Sequence, residues 1–120
     1  MPEPASLLVA AAVLVGDAQR GAAIAASRSE GLCVLCHALP GVPAAQAGTL
    51  GPDLGGVGAR YTREQLRERL VAPERFNPHT VMPSATRADG FTRVAPARAG
   101  QPLLGPQALE DLLSYLETLK

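Results

Sequence analysis

The sequence predicts a small all-α domain, three helices joined by two long loops, and three observations carry that prediction. Leu109, Leu112, Leu113, Leu116 and Leu119 recur at three-and-four spacing and mark one apolar stripe of a terminal helix. Twelve Gly and 11 Pro among 120 residues fall largely in stretches without any helical period, which is the composition of loop. The apolar inventory is mostly Ala, Val and Leu, with only Tyr61, Phe76, Phe91 and Tyr115 as aromatics and no Trp. A core built from these side chains is thin, so a large apolar group in the middle would complete it.

The elements follow in order. Leu7 to Val15 is an unbroken apolar run, long enough for a signal-peptide core and far too short to span a bilayer. It lacks a positive flank and an A-x-A cleavage site, so residues 1–16 are expected to form an N-terminal extension, either a signal remnant or an arm of an exported protein. The domain proper is expected over 17–120. Asp17 is a suitable N-cap for a first helix from Ala18 to about Gly31. Residues 40–59 are mostly Gly, Pro, Ala and short polar types and read as loop. Thr62 with Gln65 fits a capping box opening a second helix, with Leu66 and Leu70 as its apolar pair and Pro73 as its stop. The charged positions of that helix read as a solvated face. Prolines 73, 78, 83, 96 and 102 then mark a second long loop. Pro106 suits the first position of the terminal helix, whose leucine stripe is expected to pack on the first helix.

Charge narrows the function. Eleven basic residues balance 11 acidic ones, and the basic set is Arg apart from Lys120. With neither net charge nor interleaved aromatics, nucleic-acid binding is not expected.

Cys33-Val34-Leu35-Cys36-His37 carries the chemistry. C-x-x-C-H lets two thiols add to the two vinyl groups of one haem while the following imidazole reaches the iron. A thioredoxin-type pair would need a strand and a βαβ context, which are not readable here. Structural zinc needs four ligands, and adjacent Cys36 and His37 are awkward partners on one ion. Haem c, covalent and single, is therefore the expected cofactor, with His37 as one iron ligand. Met82, between Val81 and Pro83, is the expected ligand on the opposite face, since Met1 is the only other thioether. His79 is the rival and would give a lower-potential bis-His site. Gly51-Pro52-Asp53-Leu54 reads either as a simple turn or as the rigid carbonyl, from Pro52, that accepts the second ring N–H of His37.

These blocks, in this order, resemble the class I cytochrome c fold. Within it, Asn77-Pro78-His79-Thr80-Val81-Met82-Pro83-Ser84, Gly31 to His37, Gly51 to Leu54, Gly56 to Tyr61 and Thr92 to Ala95 are similar to the SoxX subunit of sulfur-oxidising systems. Such chains often carry aromatic residues after Met-Pro-Ser, whereas Ala85-Thr86-Arg87 follows here. The resemblance implies a periplasmic heterodimer with a SoxA-like cytochrome that oxidatively joins thiosulfate to a cysteine of a sulfur carrier protein. The thiol chemistry would sit on the partner, and this chain would relay electrons to a downstream acceptor without being catalytic alone. A free-standing electron carrier is the competing expectation, and a haem sensor a third. Arg60, Arg87, Arg93 and Arg98 lie in loops from which they could meet haem propionates or a partner.

Overall fold

The computed structural model describes residues 14–88 and 100–120. The block Thr92 to Ala95, together with Phe91, Arg93 and Arg98, lies outside the described residues, as does most of the apolar run from Leu7.

Among the described residues there are four helices: α1 (Ala18–Ala26), α2 (Val57–Arg60), α3 (Arg63–Val71) and α4 (Pro106–Glu117). Single 3-10 turns form at Cys33–Leu35, Ala44–Gln46 and Pro73–Arg75, and no strand occurs among the described residues. Asp17 caps α1, its side chain accepting from the backbone N–H groups of Gln19 and Arg20. This helix ends at Ala26, earlier than the expected Gly31. Ser27 is the reason: its hydroxyl accepts from the Ser29 and Glu30 N–H groups at 3.2 and 2.9 Å and turns the backbone out of the helix. Gly31 folds back instead, donating its N–H to the Ile24 carbonyl at 3.1 Å. The α3 capping box forms as its sequence indicates, with Thr62 and Gln65 satisfying each other's backbone N–H. Helix α2 is a single turn inside a stretch expected to be loop, held where the Gly58 N–H donates to the Leu119 carbonyl at 2.8 Å.

The core lies where α1 crosses α4. All five leucines of the terminal stripe are buried, Leu113 completely, and they meet Ile24 and Ala25 of α1. Each such side chain contributes about 1.5–3 kcal/mol when removed from water. The crossing is close because Gly21 has no side chain: a Cβ there would stand 1.9 Å from the Asp111 carbonyl oxygen and 2.8 Å from Cβ of Tyr115. Buried Asp111 ties the entrance to α1, accepting from the Asp17 N–H and the Gln107 side-chain amide, both at 2.9 Å. Its charge is thereby hydrogen-bonded rather than orphaned.

Helix α3 is fastened to α4 by ions, so part of its expected solvated face is an interface. Arg67 grips the Glu110 carboxylate with two N–H groups at 2.6 and 2.9 Å. Arg63 adds a bond to Glu110 at 3.0 Å, another to the Glu117 carboxylate, and one to the Ser114 hydroxyl at 3.2 Å. Glu110 is only 13% exposed, and the two guanidinium groups, Arg67 first, hold its carboxyl down at about 2.

Two outcomes are expected. Gly21→Ala forces the helices apart and costs about 1–3 kcal/mol in a denaturant titration of the haem-loaded protein, with covalent haem retained. Glu110→Gln costs roughly 1–2 kcal/mol at neutral pH. Because the carboxyl pKa is lowered on folding, from 4.5 to about 2, its contribution is complete above 4.5 and lost as the pH falls toward 2. The stability curves of variant and parent should therefore converge on the acid side.

Candidate functional site

Leu32 opens the site with φ of 64°, a left-handed conformation that costs a non-glycine residue on the order of 1 kcal/mol and turns the chain sharply out of the segment after α1. The next residues wind at once: the Cys36 and His37 N–H groups both donate to the Cys33 carbonyl, at 3.2 and 2.9 Å. This winding sets Cys33, Cys36 and His37 on one short turn. Val34 roots the turn in the core at 2% exposure, whereas Leu35 faces outward at 45%. Both cysteines are free thiols. Burial pushes the Cys33 thiol up to about 11, with Cys36 adding to the effect. Burial likewise raises the Tyr115 phenol, and Cys33 is its second cause, so the helix crossing and the cysteine turn adjoin.

A second segment runs alongside and is laced to the turn by backbone. The N–H groups of Gly48, Gly51 and Leu54 donate to the carbonyls of Val34, Cys36 and Ala38 at 2.8, 2.7 and 3.0 Å. That lacing carries the Pro52 carbonyl to 2.6 Å from His37 Nδ1. A carbonyl can only accept, so Nδ1 carries the proton and Nε2 keeps its lone pair for a metal. Gly51 lies flat against the imidazole: a Cβ there would be 2.4 Å from Cε1 and 2.7 Å from Nδ1. The acceptor alternative for the Gly51–Leu54 turn is the one whose hydrogen bond forms. Among the described residues there is no group of three or more His, Cys, Asp or Glu side chains that could hold a metal ion.

Met82 lies on a third segment, partly buried and packed against the core cluster. Local bonds shape its approach: the Thr80 N–H donates to the Asn77 carbonyl at 3.0 Å, and the Met82 N–H to the Thr80 hydroxyl at 3.1 Å. Immediately after Pro83 the chain is pinned to the end of α3. The buried Ser84 hydroxyl donates to the Val71 carbonyl at 2.6 Å, and the Ala85 N–H to the Leu70 carbonyl at 2.8 Å. Ala85 is 4% exposed, so this position is core, and a small side chain fills it. His79 is exposed, its backbone held by the Asn77 side chain.

The loop arginines separate on inspection. Exposed Arg60 reaches the Gly55 carbonyl at 3.4 Å, and Arg87 pairs with Glu74 at 2.6 Å. Sequence reasoning passed over Arg69. Its guanidinium lies between the rings of Tyr61 and Phe76, 4.4 and 4.2 Å from their centroids. Within a run of charged helix residues nothing in the sequence set it apart, because its ring partners come from either side of α3.

The parts fit a covalent haem: two free thiols on one turn, an imidazole with its Nε2 lone pair free, and a thioether on a pinned loop. No described helix is long and apolar enough to cross a membrane.

Comparison with known proteins agrees. The family model described as Cytochrome c matches residues 18–120. No curated protein sequence matches the chain significantly. Among solved structures, a chain in the crystal structure of SoxXA from P. pantotrophus is similar at a TM-score of 0.77 and 32% identity, over 88% of this chain and 83% of that one. The haem-ready turn, the crossed terminal helices and this likeness converge: the chain belongs to the cytochrome c family, as a SoxX-type member whose cofactor is covalent haem c.

Proposed function

We propose that this chain is the electron-relaying subunit of a periplasmic SoxAX-type complex, and that its cytochrome domain spans 17–120 behind an extension at 1–16. In this reading Cys33 and Cys36 would attach the haem, His37 and Met82 would ligate its iron, and the Pro52 carbonyl orients His37. The observation that carries the site is the 2.6 Å contact from His37 Nδ1 to the Pro52 oxygen, which fixes the tautomer a metal requires. The likeness to a chain of SoxXA supports the complex.

The haem supplies one-electron chemistry when bound, and the residues of the chain decide how it is used. His37 is oriented from two sides, by the Pro52 carbonyl and by the flat face of Gly51. Met82 is kept close to the core by the bonds that pin Ser84 and Ala85 to α3. A His/Met pair raises the potential and leaves no open position for a sulfur substrate. Both cysteines are consumed in attachment, and no third thiol exists to hold sulfane or thiosulfonate groups. Oxidative joining of thiosulfate to a carrier-protein cysteine thus belongs to the SoxA-like partner, and this chain passes the electrons released to a downstream acceptor.

Two measurements test the reading. Met82→Ala should keep its covalent haem, lose the thioether-to-iron charge-transfer absorbance, and drop in potential by on the order of 0.1 V or more. Unchanged spectra would remove Met82 from the iron and favour a His79 ligand or an open site. Co-expression with a SoxA-like cytochrome and haem-maturation machinery should give equimolar co-elution from a sizing column, followed by thiosulfate conjugation to a carrier cysteine. Elution of this chain alone as a reducible monohaem protein would favour the free-standing carrier.

A further inference from the structure

We propose that Arg69, held between the rings of Tyr61 and Phe76, is the anchor for a haem propionate. The proposal rests on the haem reading above and goes beyond it, because none of the residues so far assigned answers the two carboxylates that a haem brings into the fold.

The first argument is an unanswered donor set. Most arginines of the described chain have an oxygen acceptor: Arg20, Arg63, Arg67 and Arg87 meet carboxylates, while Arg28 and Arg60 reach backbone carbonyls. Arg69 has two rings and no acceptor, and among the described residues it is the one partly buried arginine so placed. Ring faces stabilise a cation by about 0.5–2 kcal/mol but leave all five N–H donors at its edge unused. Partial burial of a cation without an anion is costly, so the arrangement is that of a receptor awaiting its anion. Stacking also fixes the guanidinium plane, so little side-chain entropy remains to be lost when a carboxylate docks on the fork.

The second argument is position. Tyr61 packs against the buried core cluster, and so does Met82. Arg69 precedes Leu70 and Val71, whose carbonyls receive the Ala85 N–H and the Ser84 hydroxyl. Its stacked head therefore belongs to the end of α3 that carries the Met82 segment. The two loop arginines singled out by sequence that lie within the described residues are placed differently, since Arg87 is already paired with Glu74 and Arg60 is exposed.

The test uses full-length, haem-loaded protein, with covalent haem first verified in the denatured chain. Absence of covalent haem in the parent protein would sink the haem reading itself, independently of Arg69. With haem present, Arg69→Gln should shift the propionate bending band in resonance Raman spectra to lower frequency. It should also lower the reduction potential, because an unneutralised propionate favours the ferric state. Arg69→Lys should restore the potential in large part while leaving the band shifted, since a point charge replaces the planar fork. If Arg69→Gln fails to mature, Arg69→Lys decides through the band alone. Phe76→Leu, which loosens the stack and keeps the charge, should move the band in the same direction by less. A parental band in Arg69→Lys, or a parental band and potential in Arg69→Gln, would overturn the assignment.

Discussion

The close crossing of α1 over α4 is the constraint on which the remaining structure depends. Gly21 permits it, because a single methyl there would occupy the space of the Asp111 carbonyl. The other described helices and the cysteine turn are then hung from this crossing. Helix α2 is tied through the Gly58–Leu119 backbone bond, α3 through the arginine–glutamate cluster, and the cysteine turn through buried Val34 and the neighbourhood of Tyr115. A protein with this little aromatic mass cannot rely on a broad core. It concentrates apolar burial at one helix crossing and uses directional polar contacts to carry the loops outward.

That division explains which features were legible in the sequence. Periodicity reports burial of a whole helix face, so the leucine stripe of α4 and its partner helix were readable, as was the Thr62–Gln65 cap, which is a local bond. The end of α1 was misplaced because the Ser27 hydroxyl competes with the helix for backbone N–H groups, a contest that Ala-rich composition does not register. Contacts between distant segments were invisible for a different reason. Arg63 and Arg67 look like any charged helix positions until Glu110, more than forty residues away, is brought against them. The site divides along the same line: C-x-x-C-H is local and was plain, while the Pro52 alternative was undecidable until the lacing of residues 48–54 onto 34–38 placed its carbonyl.

The parts proposed to bind haem differ in how firmly the chain itself holds them. His37 sits on a wound turn, backed by a parallel segment, with its ring against Gly51 and its Nδ1 proton committed. Met82 has fewer constraints, since its own N–H reaches only a neighbouring hydroxyl and the firm anchors begin at Ser84. If both serve as proposed, the fold imposes the geometry of the histidine more tightly than that of the methionine. The histidine side is preorganised, and the methionine side keeps the freedom that local unfolding of loops requires.

Such asymmetry also bears on the proposed division of labour with a partner. A reacting metal centre needs an open coordination position and nearby groups to move protons or hold a substrate. Around the His37 turn the imidazole proton is donated to a carbonyl, and the two thiols are the proposed attachment points. Each of the three segments that make the site also carries an exposed apolar side chain, Leu35 at 45%, Leu50 at 70% and Val81 at 74%. Proposing the sulfur chemistry for a partner and electron passage for this chain is therefore the division of labour that its own residues support.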